Sequence, residues 1–157
     1  MGQTLVRLIS EDERLTLAGA LEHANSPALN KDAGKLAGLD ALGVTITDNA
    51  LDVMKDADGV IDFSDPSAST ALSALAAQTR VVHVIGTTGF TADQEVELEA
   101  AARHAVIVKS GNMSLGINLL ANLVKQAAAS LDNSWDIEIL DMHHRHKVDA
   151  PSGTALM

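Results

Sequence analysis

Five side chains that can carry positive charge, His143, His144, Arg145, His146 and Lys147, stand in consecutive positions near the end of this chain. The background is acidic: 21 Asp and Glu against 11 Lys and Arg give a formal net charge of −10. Histidine exchanges protons near neutrality, with an ordinary pKa of about 6.5, whereas lysine keeps a fixed charge. Immediately downstream, Ala150-Pro151-Ser152-Gly153-Thr154 reads as a turn into a helix. Pro151 restricts Ala150 to extended conformations, and Ser152 suits an N-cap. Gly153 and Thr154 would then offer backbone N–H groups at a helix start, where carboxylates and phosphates bind. A proton-donating cluster running into an anion-binding turn points to a site for a small anionic substrate. His-His-x-His spacing also suits a metal, but no acidic or cysteine partner lies at helical ligand spacing, so the reading adopted is no metal. A solvated basic loop is the other alternative that composition leaves open.

The run HHRHKVDAPSGTA resembles the signature of the dihydrodipicolinate reductases, nicotinamide-dependent enzymes of lysine biosynthesis. The resemblance implies reduction of a cyclic, unsaturated dicarboxylic acid, 4-hydroxy-tetrahydrodipicolinate, by NADH or NADPH. Hydride passes to the ring and a proton completes the addition. By the same resemblance His143 and Lys147 are the acid–base pair, with the Lys147 charge steadying the developing anionic ring. His144 contacts substrate, and Ser152, Gly153 and Thr154 bind a carboxylate. Arg145 and His146 orient or tune charge, and Asp149 sets a tautomer or pairs with a basic neighbour.

Composition sets the outer bounds. The 157 residues are 46% hydrophobic and 20% charged, which is globular rather than disordered. Aromatic residues make up only 2%, so Ala, Val, Leu and Ile must build the core. The acidic balance argues against nucleic-acid and anionic-membrane partners. With no cysteine, disulfides, thiolate zinc sites and cysteine nucleophiles are excluded, which fits a reducing compartment. No stretch is apolar enough to span a bilayer and the N-terminus lacks a signal-peptide pattern, so the expected location is cytoplasmic.

The elements that must position these residues follow an α/β pattern of short apolar runs between amphipathic stretches. A helix starts almost at residue 1, with Leu5, Val6, Leu8 and Ile9 on its apolar face. Strands are expected at 15–21, ending at Glu22, and at 44–47, 59–64, 80–87, 105–110 and 135–142. A long polar loop separates the first two, and Asp48 could cap a helix through Lys55. Further helices are expected at 67–78, at 91–103 with a Thr91/Gln94 capping box, and at 115–131. The fold class is a Rossmann-like parallel sheet followed by the start of a second α+β domain. The division falls between residues 1–113, for dinucleotide binding, and 114–157, for substrate binding and oligomerisation.

Nucleotide contacts come from the strand ends. In a dinucleotide-binding unit, an acidic residue about 20 positions beyond the glycine-rich turn ends the second strand and holds the adenosine ribose. Glu22 stands twenty positions after Gly2. Taken alone, Glu22 reads first as an ordinary exposed acid. Family members carry G-x-x-G-R-M-G here, and Met1-Gly2 resembles its last two residues, so the first strand and most of the phosphate loop are expected to be missing. Gly86-Thr87-Thr88-Gly89-Phe90 matches the family's GTTGF turn at the nicotinamide, although alone it equally suits an ordinary strand-to-helix turn. Ser110-Gly111-Asn112-Met113 resembles a second nicotinamide-lining segment, and Met113 also suits simple core packing. His23 and Asp65 stand where some relatives have arginines, which leans the cofactor towards NADH or dual use.

Two other function classes remain open on the sequence: a different nicotinamide-dependent oxidoreductase of small carboxylic acids, and a non-catalytic binding module. The resemblance implies a homotetramer for the full-length protein. It also implies that these 157 residues alone are a fragment, poorly stable and nearly inactive, with the strands ending at Glu22 and Thr47 unbridged to that at 59–64.

Overall fold

A computed structural model describes every residue of the chain except His146, Val148 and Asp149. Among the described residues six helices and five strands alternate: α1 Gly2–Glu11, β1 Ala20–Leu21, α2 Ala33–Leu36, β2 Ile46–Thr47, α3 Ala50–Met54, β3 Gly59–Asp62, α4 Pro66–Thr79, β4 Val82–Ile85, α5 Ala92–Ala101, β5 Ile107–Lys109 and α6 Leu115–Ala129. All strand pairs are parallel and form two separate sheets, β1-β2 and β3-β4-β5. This is the α/β architecture with the expected break. Among the described residues no strand joins the edge that ends at Leu21 and Thr47 to β3.

Local chemistry explains where the helices begin. Asp65 caps α4 by accepting hydrogen bonds from the Ser67 and Ala68 N–H groups, and Pro66 fills the first turn, where its missing N–H costs nothing. Arg80 ends α4 in the left-handed region at φ 60. The Thr91/Gln94 capping box closes fully at the start of α5. Helix α3 is capped by Asn49, one residue beyond the expected Asp48. The long polar loop is more ordered than expected, for Asp32 caps α2 and also accepts from the N–H groups of Leu42 and Gly43.

The core lies between α3, α4 and the three-stranded sheet. Met54, Ala76 and Val81 are buried there, with Ala50, Val60, Leu72, Leu75 and Ala105 packed around them. Helix α4 turns a small, partly polar face inward, burying Ser69, Thr70, Ser73 and Ala76. That face meets a buried polar chain. Ser73 Oγ lies 2.9 Å from His83 Nδ1, and His83 Nε2 lies 3.2 Å from Asp62 Oδ2. Asp62 also accepts from the Ser64 N–H at 2.9 Å. Burial pushes the Asp62 carboxyl up, but hydrogen bonds from His83, Ser64 and Ser69 outweigh it and hold the pKa at about 2.

One expected element is absent. Residues 135–142 form no strand and pair with neither sheet. Trp135, Ile137 and Ile139 alternate with acidic residues as a strand would, yet they stay 62%, 58% and 73% exposed. A ladder needs a partner, and none of the described strands reaches this segment. Helix α6 likewise buries no residue.

Candidate active site

Parallel strands put their carboxyl ends on one edge of a sheet, and the expected nucleotide-side residues sit there. Gly86, Thr87 and Thr88 follow β4, and Ser110, Gly111, Asn112 and Met113 follow β5. Gly86 is pressed against the Phe63 ring, since a Cβ built on it would lie 2.1 Å from the ring edge. Thr87 is buried and accepts a hydrogen bond from Ser69 at 2.9 Å. These two residues therefore shape the turn from below, while Thr88 faces the chain's last turn.

That last turn is tied to the end of β5. A Cβ on Gly111 would lie 2.6 Å from the Gly153 carbonyl oxygen, and one on Gly153 would lie 2.7 Å from the Thr88 methyl group. Only glycine lets the two backbones approach so closely. The Asn112 side-chain amide donates to Thr154 Oγ1 at 2.9 Å, while its carbonyl accepts from the Ser114 N–H at 2.9 Å. Ser110 Oγ donates to the Asn112 carbonyl at 2.7 Å and fixes that loop. Between the 87–90 turn, Lys109, Gly111 and Gly153 lies an open cleft of about 250 Å³. Lys109 pairs with Glu95 and stands 5.1 Å from the Phe90 ring centre, a cation in the cleft wall that the sequence reading passed over.

Ser152 begins the turn as expected, but one turn forms rather than a helix. Its hydroxyl accepts from the Ala155 N–H at 3.2 Å and its carbonyl from the Leu156 N–H at 3.1 Å. The N–H groups of Gly153 and Thr154 have no partner among the described residues. Asp141, which the sequence reading did not single out, receives the His143 imidazole at 2.7 Å and the Ser152 N–H at 2.9 Å. The backbone N–H of Ser152 is the chief reason its carboxyl lies below the ordinary range, and the Ser152 hydroxyl and His143 add to it. His144 and Arg145 are exposed and Lys147 is half-buried. The roles given to His146 and Asp149 fall outside the described residues. Among the described residues no cluster could hold a metal ion.

The acid expected at the ribose, Glu22, stands apart from this cleft. Glu22 follows β1 and is exposed, and its carboxylate accepts from the His23 N–H at 3.2 Å. Gly2 opens α1, with open space where a side chain would be. Met113 is 40% exposed and so is not packed in the core. Asp65, which stands where some relatives have an arginine, uses its carboxylate as the α4 cap.

Comparison with known proteins decides the family. Residues 1–113 match the model for dihydrodipicolinate reductase, N-terminus, and residues 116–157 that for dihydrodipicolinate reductase, C-terminus. The chain belongs to the dihydrodipicolinate reductase family. It is similar to the 4-hydroxy-tetrahydrodipicolinate reductases of Parvibaculum lavamentivorans, 63% identical, and Brucella abortus, 60% identical, each over the whole of this chain. It spans 58% and 59% of those relatives' own lengths. A dipicolinate-bound dihydrodipicolinate reductase from Paenisporosarcina sp. TG-14 is 31% identical, with a TM-score of 0.71 over 99% of this chain and 58% of that one. That likeness agrees with the Rossmann-like reading of the parallel strands.

Proposed function

We propose that this chain carries the nucleotide-binding and reducing parts of an NAD(P)H-dependent 4-hydroxy-tetrahydrodipicolinate reductase. One observation carries the reading: the Gly111–Gly153 contact and the Asn112–Thr154 bond bring the basic run's substrate turn against the nicotinamide-side strand ends. The residues fit a nicotinamide, because the cleft beside Thr88, Gly111 and Gly153 is open and glycine-lined. Thr88, Asn112 and Met113 would hold the ring end, and the exposed Glu22 would take the ribose hydroxyls. A reduced nicotinamide bound there supplies the hydride.

The chain's own residues do the rest. The Gly153 and Thr154 N–H groups, without a partner among the described residues, receive a substrate carboxylate, with Ser152 holding their turn. His144 adds a second substrate contact. His143 delivers the proton, and Lys147 places a fixed positive charge beside the developing anion. His23 next to Glu22 offers no fixed cation for a 2′-phosphate, which supports NADH or dual use. The boundary between the two domains lies near Ser114, which caps α6; the family models' own division at residues 113 and 116 supports it. A cytoplasmic homotetramer completes the proposal, and no described helix is long and apolar enough to cross a membrane.

The test is to offer the complete protein NADH or NADPH together with the cyclic dicarboxylate or with other unsaturated or carbonyl acids. Oxidation of the nucleotide only with the cyclic dicarboxylate is expected. Faster turnover of another acid would point to a different oxidoreductase. Binding of neither nucleotide would leave a non-catalytic module.

A further inference from the structure

We propose that Asp141 is the positioning residue of this site, one carboxylate setting both the proton donor and the carboxylate-binding turn. The inference rests on the reading of His143 as the acid. Three donors from two segments converge on its two oxygens. His143 Nε2 lies 2.7 Å from Oδ1, Ser152 Oγ donates to the same oxygen at 3.1 Å, and the Ser152 N–H donates to Oδ2 at 2.9 Å. An ionised carboxylate can only accept, so His143 must donate from Nε2. The neutral imidazole is then the Nε2–H tautomer, and Nδ1 is the atom that takes up and releases the second proton.

The other end of the same carboxylate governs the turn. Ser152 is 2% exposed, so water does not compete for its bonds to Asp141. Its hydroxyl donates to Asp141 and accepts from Ala155, which uses it in both directions. Gly153 follows directly and rests against Gly111. Movement of the Asp141 carboxylate therefore shifts the imidazole and the Gly153 and Thr154 N–H groups together. Among the described residues the charged side chain that meets Asp141 is His143.

The experiment compares Asp141→Asn, Asp141→Glu and His143→Gln in the complete protein, alone and in the double variant Asp141→Asn/His143→Gln. Asp141→Asn keeps the size but loses the charge and one accepting oxygen. It is expected to lower kcat by about 10- to 100-fold and to raise KM for the dicarboxylate severalfold. NADH affinity should stay unchanged, and Asp141→Glu should restore much of kcat. Added to His143→Gln, it should raise KM but lower kcat little further, because it acts on kcat through the histidine. Wild-type kcat in Asp141→Asn beside a crippled His143→Gln would overturn this inference alone. An equal fall in NADH affinity would also overturn it, since that marks general damage. Wild-type kcat in His143→Gln would overturn the assignment of the acid and this inference with it.

Discussion

Replacing Gly111 by alanine pries the 152–157 turn, proposed to hold substrate, from the end of β5 by an amount the structure fixes. The new methyl group would stand 2.6 Å from the Gly153 carbonyl oxygen, 2.8 Å from its carbon and 3.1 Å from its Cα. All three are backbone atoms that cannot rotate away. Ordinary carbon contacts lie near 3.5 Å, so the turn at 152–157 must retreat by roughly 1 Å. Overpacking of this kind costs ~1–3 kcal/mol, whereas the stiffer unfolded chain returns only ~0.4–1 kcal/mol. Because the turn runs out into the exposed Leu156 and Met157, much of that cost should appear as displacement rather than unfolding. A misplacement of about 1 Å can cost on the order of 100-fold in rate. In the complete protein, kcat/KM for the cyclic dicarboxylate should therefore fall by about that factor, with NADH affinity nearly kept and the thermal midpoint slightly lower. Wild-type kinetics together with a raised midpoint would refute the reasoning, for then no Gly153 backbone stands in the way.

Three further outcomes are expected. The folded pKa of Asp62 is lowered, so its contribution is full above the ordinary carboxylate value of about 3.9 and is lost as the pH falls towards 2. That window is worth about 2 kcal/mol, and urea midpoints of the wild type should show an acid slope there that Asp62→Asn lacks. Asn112→Ala removes both the tie to Thr154 and the acceptor for the Ser114 N–H, and should raise KM for the dicarboxylate by roughly tenfold, read from steady-state kinetics. Thr91→Ala opens the α5 capping box and should cost about 1 kcal/mol in chemical denaturation while leaving kcat and KM alone.

What the sequence disclosed was what neighbours along the chain decide. The α5 capping box and the α6 start at Leu115 could be read because a cap and the N–H that donates to it lie within three residues. Strand lengths could not, since a ladder belongs to two segments. The expected strand at 15–21 shrinks to Ala20–Leu21, where β2 pairs with it, and that at 135–142 vanishes for want of a partner. The site followed the same division. The run from His143 to Thr154 stood out by composition, whereas its contact with Gly111 and Asn112 spans some forty residues and needs the fold. Asp141 was hidden because it sat at the end of an expected strand and its partner Ser152 lies eleven residues further on. An acid two positions before a histidine was the only signal it gave. His83 was hidden in the same way, as one more residue of an apolar run, although α4 supplies Ser73 to meet it.

The most direct test of the account is the Lys147→Ala variant of the complete protein, followed by nucleotide oxidation with the cyclic dicarboxylate and by NADH titration. In the proposed reading Lys147 belongs to the substrate run, whereas Glu22 and the 86–89 turn serve the nucleotide. Loss of one charge-stabilising group from an active site costs about 3–4 kcal/mol, so turnover should fall by roughly two to three decades while NADH binds as before. Turnover near the wild-type level would contradict the account, because the fixed charge of the basic run would then have no part in the reduction.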